Sequence, residues 1–399
     1  RIIRILKDGV KLERLIVLTF TKAAAGEMKE RLRKKLQKEI ASGFALKEAL
    51  EYLDQASVQT FDSFALELVR RYHYLLGVDR SITIGDGVLF SLKKKEIIAQ
   101  VFDAFYEEGD PEFLDFVSLF AIKNDKTLQK YIFAVDNKLE LIYDRKAFLD
   151  SYLEKYYSDS FIKAMIHRYI NLLLLEQARI RSRLQRLKEE ITDEDLILHV
   201  VDCGETLEAL LKCKTYAEFK CQADITLPRL PRHGDEYEKA IISYEKDQIK
   251  ESIKRLQAYL DYENEEEMYQ TVIETKTHVV TLIRILNRVN EEFIKFKRHY
   301  NIYEFQDIAK MAIRLLKENE EIREYIKEHT YEILIDEYQD TNDLQEMLIS
   351  LISKNNVYMV GDVKQSIYRF RNANPEIFKE KYARFQKDKT GLAIDLSRN

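Results

Sequence analysis

The sequence runs to 399 residues, more than one average domain, so two lobes or one lobe with a large insertion is the expected organisation. With 46% hydrophobic and 33% charged residues but only 11 Gly and 4 Pro, the composition excludes a disordered or fibrous chain and fits a helix-rich globular one. No run approaches the roughly 18 uncharged apolar residues of a membrane span, and the N-terminal RIIRILKDGVKLER lacks the apolar stretch of a signal peptide, so a cytoplasmic protein without membrane contact is expected.

The formal net charge is −5, yet residues 1–50 hold 13 Lys/Arg against 6 Asp/Glu. A phosphate-bearing partner is one reading of that local excess, and solvated helix faces are the plainer one. Cys203, Cys213 and Cys221 are spaced by ten and eight residues, which matches no common metal-ligand pattern and leaves them as structural or incidental thiols.

In chain order, LIVLTF (15–20) and SVQTF (57–61) are short continuous apolar runs, each followed by a polar turn and a helical pattern. The same rhythm returns at EILIDE (332–337), followed by NDLQEMLISLIS, and at VYMVGD (357–362). Runs that do not alternate are what parallel strands buried on both faces require, and strand, loop, helix is the cadence of an α/β sheet. Both pairs of strands are expected in one sheet. Between them, residues 81–300 carry almost no strand signal, and apolar positions recur at three and four, as in Ile249, Ile253, Leu256 and Leu260. This reads as a large helical insertion, bounded by GVDRSITIGDG (77–87) and RHYN (298–301) and broken internally at PRLPRHGD (228–235).

Three segments carry chemistry. ILIDEYQDT (333–341) ends a buried strand in Asp336 and Glu337, at the carboxyl end of a parallel sheet where α/β folds bind ligands. One acid there can hold Mg²⁺ while its neighbour orients water for attack on a phosphate; the plainer reading is a strand-to-helix turn in which Asp340 or Thr341 caps the next helix. GDVKQSIYRFRNA (361–373) follows the next strand. Gln365 offers a neutral amide to a γ-phosphate, and Tyr368 and Phe370 interleave with Arg369 and Arg371, a combination that suits single-stranded nucleic acid and also suits core aromatics beside surface arginines. LTFTKAAAGEMKERL (18–32) sets Phe20, Thr21 and Lys22 in the loop before a helix N-terminus, and TFDSF (60–64) repeats the arrangement with Thr60 and Ser63 as hydroxyl donors and Phe64 turned toward the core.

TFTKAAAGEMKERL, VQTFDSF, ILIDEYQDT, GDVKQSIYRFRNA and the terminal LSRN stand in the order of motifs Ia, Ib, II, III and the start of IV of superfamily 1A helicases of the UvrD/Rep type, which the sequence resembles. Within that group it looks most like the A subunit (AddA, also RexA) of the AddAB helicase-nuclease, on the TFTKAAA form, the RRYHYLLGVD continuation, the large helical insertion and YEFQDIAKMAIRLL (303–316). The resemblance implies an ATP-driven 3′ to 5′ DNA helicase, within a helicase-nuclease that processes double-strand breaks. It implies ATP as substrate, Mg²⁺ as cofactor, single- and double-stranded DNA as ligand, and an AddB-type partner subunit.

By the same resemblance Asp336 holds Mg²⁺, Glu337 is the general base and Gln365 senses the γ-phosphate. Arg371 links the nucleotide to the DNA track, lined by Phe20, Thr21, Lys22, Thr60, Ser63, Phe64, Tyr368 and Phe370. Asp62 departs from the His usual in this family; a carboxylate there would repel a phosphate, and it is expected instead to cap the helix beginning DSFALELV.

The implied fold is a P-loop NTPase-type parallel sheet with an all-helical insertion. Residues 1–80 and 301–391 form the two parts of helicase domain 1A, residues 81–300 form subdomain 1B, and residues 392–399 begin domain 2A. The sequence contains no GxxxxGK[ST] phosphate loop, and RIIRILKDG resembles the end of the helix that follows one, so the chain is expected to start just after it, to lack the first strand, and to be inactive alone. Competing expectations are a UvrD/PcrA-type repair helicase without nuclease, and a non-hydrolysing DNA-binding or partner-docking module.

Overall fold

A computed structural model describes residues 1–121, 124–366, 373–388 and 391–395. The strands in chain order are β1 (Leu15–Thr19), β2 (Ser57–Thr60), β3 (Thr83–Ile84), β4 (Ile302–Tyr303), β5 (Glu332–Ile335) and β6 (Val357–Met359). Four of them form a parallel sheet in the order β2-β1-β5-β6, while β3 and β4 make a separate parallel pair. The sheet joins the two ends of the sequence: Leu18 of β1 is registered with Gln59 on one side and Ile335 on the other. Both expected pairs of strands therefore share one sheet.

The two central strands, β1 and β5, are buried at every position because both faces are sealed, whereas β2 and β6 are only partly buried. Ile16, Leu18, Ile333 and Ile335 pack on one face with the helices Phe61–Arg71, Phe305–Glu318 and Asp343–Ile352. Leu15, Val17, Val58 and Leu334 pack on the other with the helices Ile2–Lys7 and Lys22–Ala41. In β1 and β5 alternating side chains thus enter two cores, and no polar face is left to impose a period of two.

The chain divides into two compact units, residues 1–145 with 285–399 and residues 146–284. The second is all helical. Its core is a stripe along the helix Asp159–Glu190, with Ile162, Ile166, Leu173, Ile180, Leu184 and Leu187 recurring at threes, fours and their sum. Ile249, Ile253, Leu256 and Leu260 face the same core, and residues 223–235 hold no helix, as the PRLPRHGD break requires. Cys203 and Cys213 are buried free thiols and Cys221 is an exposed one.

Within the first unit the helices Gly87–Glu108 and Lys126–Leu139 are tied to the sheet-bearing part by buried charge. Asp136 meets Lys94 at 2.9 Å and Arg145 at 2.6 Å. These are ion pairs outside hydrogen-bonding angles. Arg145 also meets Glu140 at 3.2 Å and donates to the Leu286 carbonyl at 2.7 Å. Lys310 meets Glu140 at 3.5 Å, and Lys297 meets Asp307 at 2.8 Å. Asp307, from YEFQDIAK, also accepts the Glu304 backbone N–H at 2.8 Å in a capping box, which makes it a structural residue here.

Burial alone would raise the Glu140 carboxyl, but the surrounding Lys297, Lys310, Lys94 and Arg145 hold it at about 2. A folded value below the ordinary 4.5 gives stability that is complete above pH 4.5 and lost as pH falls toward 2. The depression is worth about 3 kcal/mol. Urea unfolding followed across that window should show Glu140→Gln losing the steep acid dependence of the parent sequence; an unchanged slope would place the effect elsewhere.

Candidate nucleotide and DNA site

Strand β5 delivers the two acids. Asp336 is half-buried, its N–H donating to the Leu18 carbonyl at 3.3 Å, so the residue is still held by the sheet. Glu337 is exposed and adopts the left-handed conformation, φ 52° and ψ 40°. A non-glycine residue there costs about 1–3 kcal/mol and persists only where its surroundings fix it. They do so on both sides. The Tyr338 N–H donates to the Val360 carbonyl at 2.8 Å, and its ring is 1% exposed, with its hydroxyl donating to Glu346. Burial, reinforced by Glu346, pushes the Tyr338 phenol well above its ordinary value, so it stays a donor.

Gln339, 1% exposed, supplies the second restraint. Its Nε2 donates to Glu337 Oε2 at 2.7 Å, while its Oε1 accepts the Asp362 N–H at 2.9 Å. Asp362 in turn accepts the Lys364 N–H and the Gln365 side-chain amide, both at 3.0 Å. Those two donors, the backbone one foremost, hold the Asp362 carboxyl below its ordinary range. The sequence-predicted Glu337 and Gln365 are therefore connected through Gln339 and Asp362. Neither bridging residue was singled out from sequence for this role; the available signal was a glutamine between two acids in a turn that must be buried.

Asp340 is buried and accepts from the Ser366 hydroxyl at 3.3 Å; burial raises its carboxyl and the charge of Glu337 adds to the effect. The helix after ILIDEYQDT is capped by Asn342 with Gln345 in a capping box, not by Asp340 or Thr341. The loop approach is close enough to need a glycine. A Cβ on residue 361 would stand 2.5 Å from Gln339 Oε1 and 3.1 Å from the Gln339 nitrogen. Gly361→Ala should break the contact between the two loops and cost about 1–3 kcal/mol, visible as a lower urea midpoint at unchanged m value.

The residues expected on a DNA path fall into two groups. Thr21 and Thr60 are helix N-caps, accepting from the Ala24 N–H at 3.0 Å and the Ser63 N–H at 3.2 Å, and Thr60 also shares a 2.9 Å hydrogen bond with the Ser63 hydroxyl. Thr60 and Phe64 are each 6% exposed, Phe64 within the core. Lys22 is exposed and Phe20 half-buried, its ring 5.3 Å from that of Phe61. Asp62 does not cap its helix. Thr60 takes that place because the helix begins at Phe61, leaving Asp62 in the first turn with its carboxyl raised by burial. Tyr368, Phe370 and Arg371 lie outside the described residues, as do residues 396–399.

Among the described residues neither Asp336 nor Glu337 makes an ion pair, and no group of three or more His, Cys, Asp or Glu side chains is placed to hold a metal. Two adjacent carboxylates, Asp336 half-buried and Glu337 exposed, match a hard cation that keeps several waters and takes the rest of its shell from phosphates. No helix of the described residues is long and apolar enough to cross a membrane.

With the parallel sheet, the acids at the end of β5 and the glutamine loop after β6 in place, the sequence matches the UvrD/REP helicase N-terminal domain over residues 1–386. The chain belongs to that family. It is similar to the A subunit of the ATP-dependent helicase/nuclease of Bacillus licheniformis, at 30% identity over 100% of this chain and 35% of that protein. The proteins of the same name from Alkaliphilus oremlandii (31% identity, 100% of this chain, 35% of that one) and Clostridium beijerinckii (29%, 96% and 34%) are alike in this respect. The chain thus spans about a third of the length of the curated relatives it matches.

Proposed function

We propose that this chain is the first motor domain of an ATP-dependent 3′ to 5′ DNA helicase, acting within a helicase-nuclease in double-strand break repair and recombination. The observation that supports the reading is the hydrogen-bonded chain from Glu337 through Gln339 and Asp362 to Gln365, which joins an acid and a neutral amide at one end of the sheet. Family membership and the relatives' names support it.

In this reading Asp336 would hold Mg²⁺, which when bound would neutralise phosphate charge. Glu337 accepts a proton from the attacking water, and Gln365 leaves Asp362 to bond the γ-phosphate. Arg371 couples this site to DNA. Phe20, Lys22, Tyr368 and Phe370 contact the single strand by stacking and charge, while Thr21, Thr60, Ser63 and Phe64 hold the loops that present it. The proposed macromolecular partners are duplex DNA and a second, AddB-type subunit, with residues 81–300 as the helical subdomain facing them.

Residues 1–399 alone are proposed to turn over no ATP, since the sequence has no phosphate-cradling loop and the acids cannot position a triphosphate unaided. Among the described residues no strand pairs with the outer edge of β6. Strand displacement by the full-length protein tests the direction. A duplex with a 3′ single-stranded tail should be unwound with ATP, and one with only a 5′ tail should not; the opposite preference contradicts the assignment.

A further inference from the structure

Gln339 has both ends of its amide committed, and the chemistry of its partners fixes which end is which. A carboxylate only accepts and a backbone N–H only donates, so Nε2 must face Glu337 and Oε1 must face Asp362. The side chain is 1% exposed and pinned by the absent Cβ of Gly361. On the far side, Asp362 holds the Gln365 amide at 3.0 Å. The 361–365 loop is therefore joined to the Glu337 carboxylate through the buried Gln339 amide, beside the Tyr338 N–H bond to the Val360 carbonyl.

We propose that Gln339 is the positioning residue that couples phosphate sensing to the general base, orienting Glu337 in response to the loop that carries Gln365. The inference rests on the helicase reading and adds to it a residue that touches neither nucleotide nor DNA. Its action is on the rate of the chemical step and not on nucleotide affinity, because Asp336 and the remaining phosphate contacts are unaffected.

The test uses the full-length protein with single-stranded DNA at saturation. Gln339→Glu retains an acceptor for the Asp362 N–H but presents a second carboxylate to Glu337; Gln339→Met keeps the length and removes both hydrogen bonds. Each should lower kcat for ATP by about 10- to 100-fold, with KM within about twofold of the parent and the melting transition retained. In a Glu337→Gln background the same substitutions should produce no further loss, since a residue acting through Glu337 has nothing left to position. Losses that multiply in the double variants, a change carried in KM, or loss of the folded state in both single variants would overturn the proposal. If Glu337→Gln alone leaves kcat unchanged, the fault lies instead in the catalytic reading on which the proposal stands.

Discussion

Glu337→Gln in the full-length protein should lower DNA-stimulated ATP turnover by about 10²- to 10⁴-fold, the usual contribution of a positioned general base. The substitution keeps side-chain length and shape while removing basicity, so the fold around the left-handed residue is retained. Nucleotide affinity should change little, because Asp336 remains to hold the metal. Glu337 is suited to the role by its exposure at the strand end and by the 2.7 Å bond from Gln339, which sets its orientation. Phosphate release followed at saturating ATP and DNA checks this. Equal turnover in the two proteins would remove Glu337 from the mechanism.

Asp136→Ala should be the most damaging substitution in the helices 87–139, at about 3–5 kcal/mol. The residue is 0% exposed and balances two buried cations, Lys94 at 2% exposure and Arg145 at 6%. Removing the acid takes away the ion-pair partner of the buried Lys94 and leaves Arg145 with Glu140 alone, and this penalty exceeds anything the pairs gained by forming. Surface pairs offer the contrast. Arg31 and Glu27 are 74% and 63% exposed at the side chain, and Glu27→Ala should cost no more than about 0.5 kcal/mol. Chemical denaturation of the two variants checks the difference. Replacing Lys94 by Met together with Asp136 by Leu should recover part of the loss, and an Asp136→Ala cost below about 1 kcal/mol would show the cluster to be solvated.

The sheet was readable because its chemistry is local. LIVLT and EILI are sealed on two faces, so each shows as an apolar run bounded by polar turns, and their place in one sheet followed from the rhythm of helices after them. The pair β3 and β4 was not readable, since two residues each leave no pattern. Gln339 escaped for another reason: its role is set by the Asp362 N–H, a partner distant in sequence that only the fold supplies. The buried charges Lys94, Asp136, Arg145 and Lys297 were not legible because their burial depends on helices far apart in the chain. Thr60 and Phe64 show the remaining ambiguity. Both are expected on the DNA path, and the structure shows the Thr60 hydroxyl capping its helix and Phe64 within the core.

ATP hydrolysis by the full-length protein, measured with Mg²⁺ present and single-stranded DNA either absent or saturating, tests the assignment as a DNA-driven motor most directly. Turnover should rise severalfold with DNA, and residues 1–399 by themselves should show none. Turnover indifferent to DNA, or none at all from the full-length protein at saturating ATP, would contradict it.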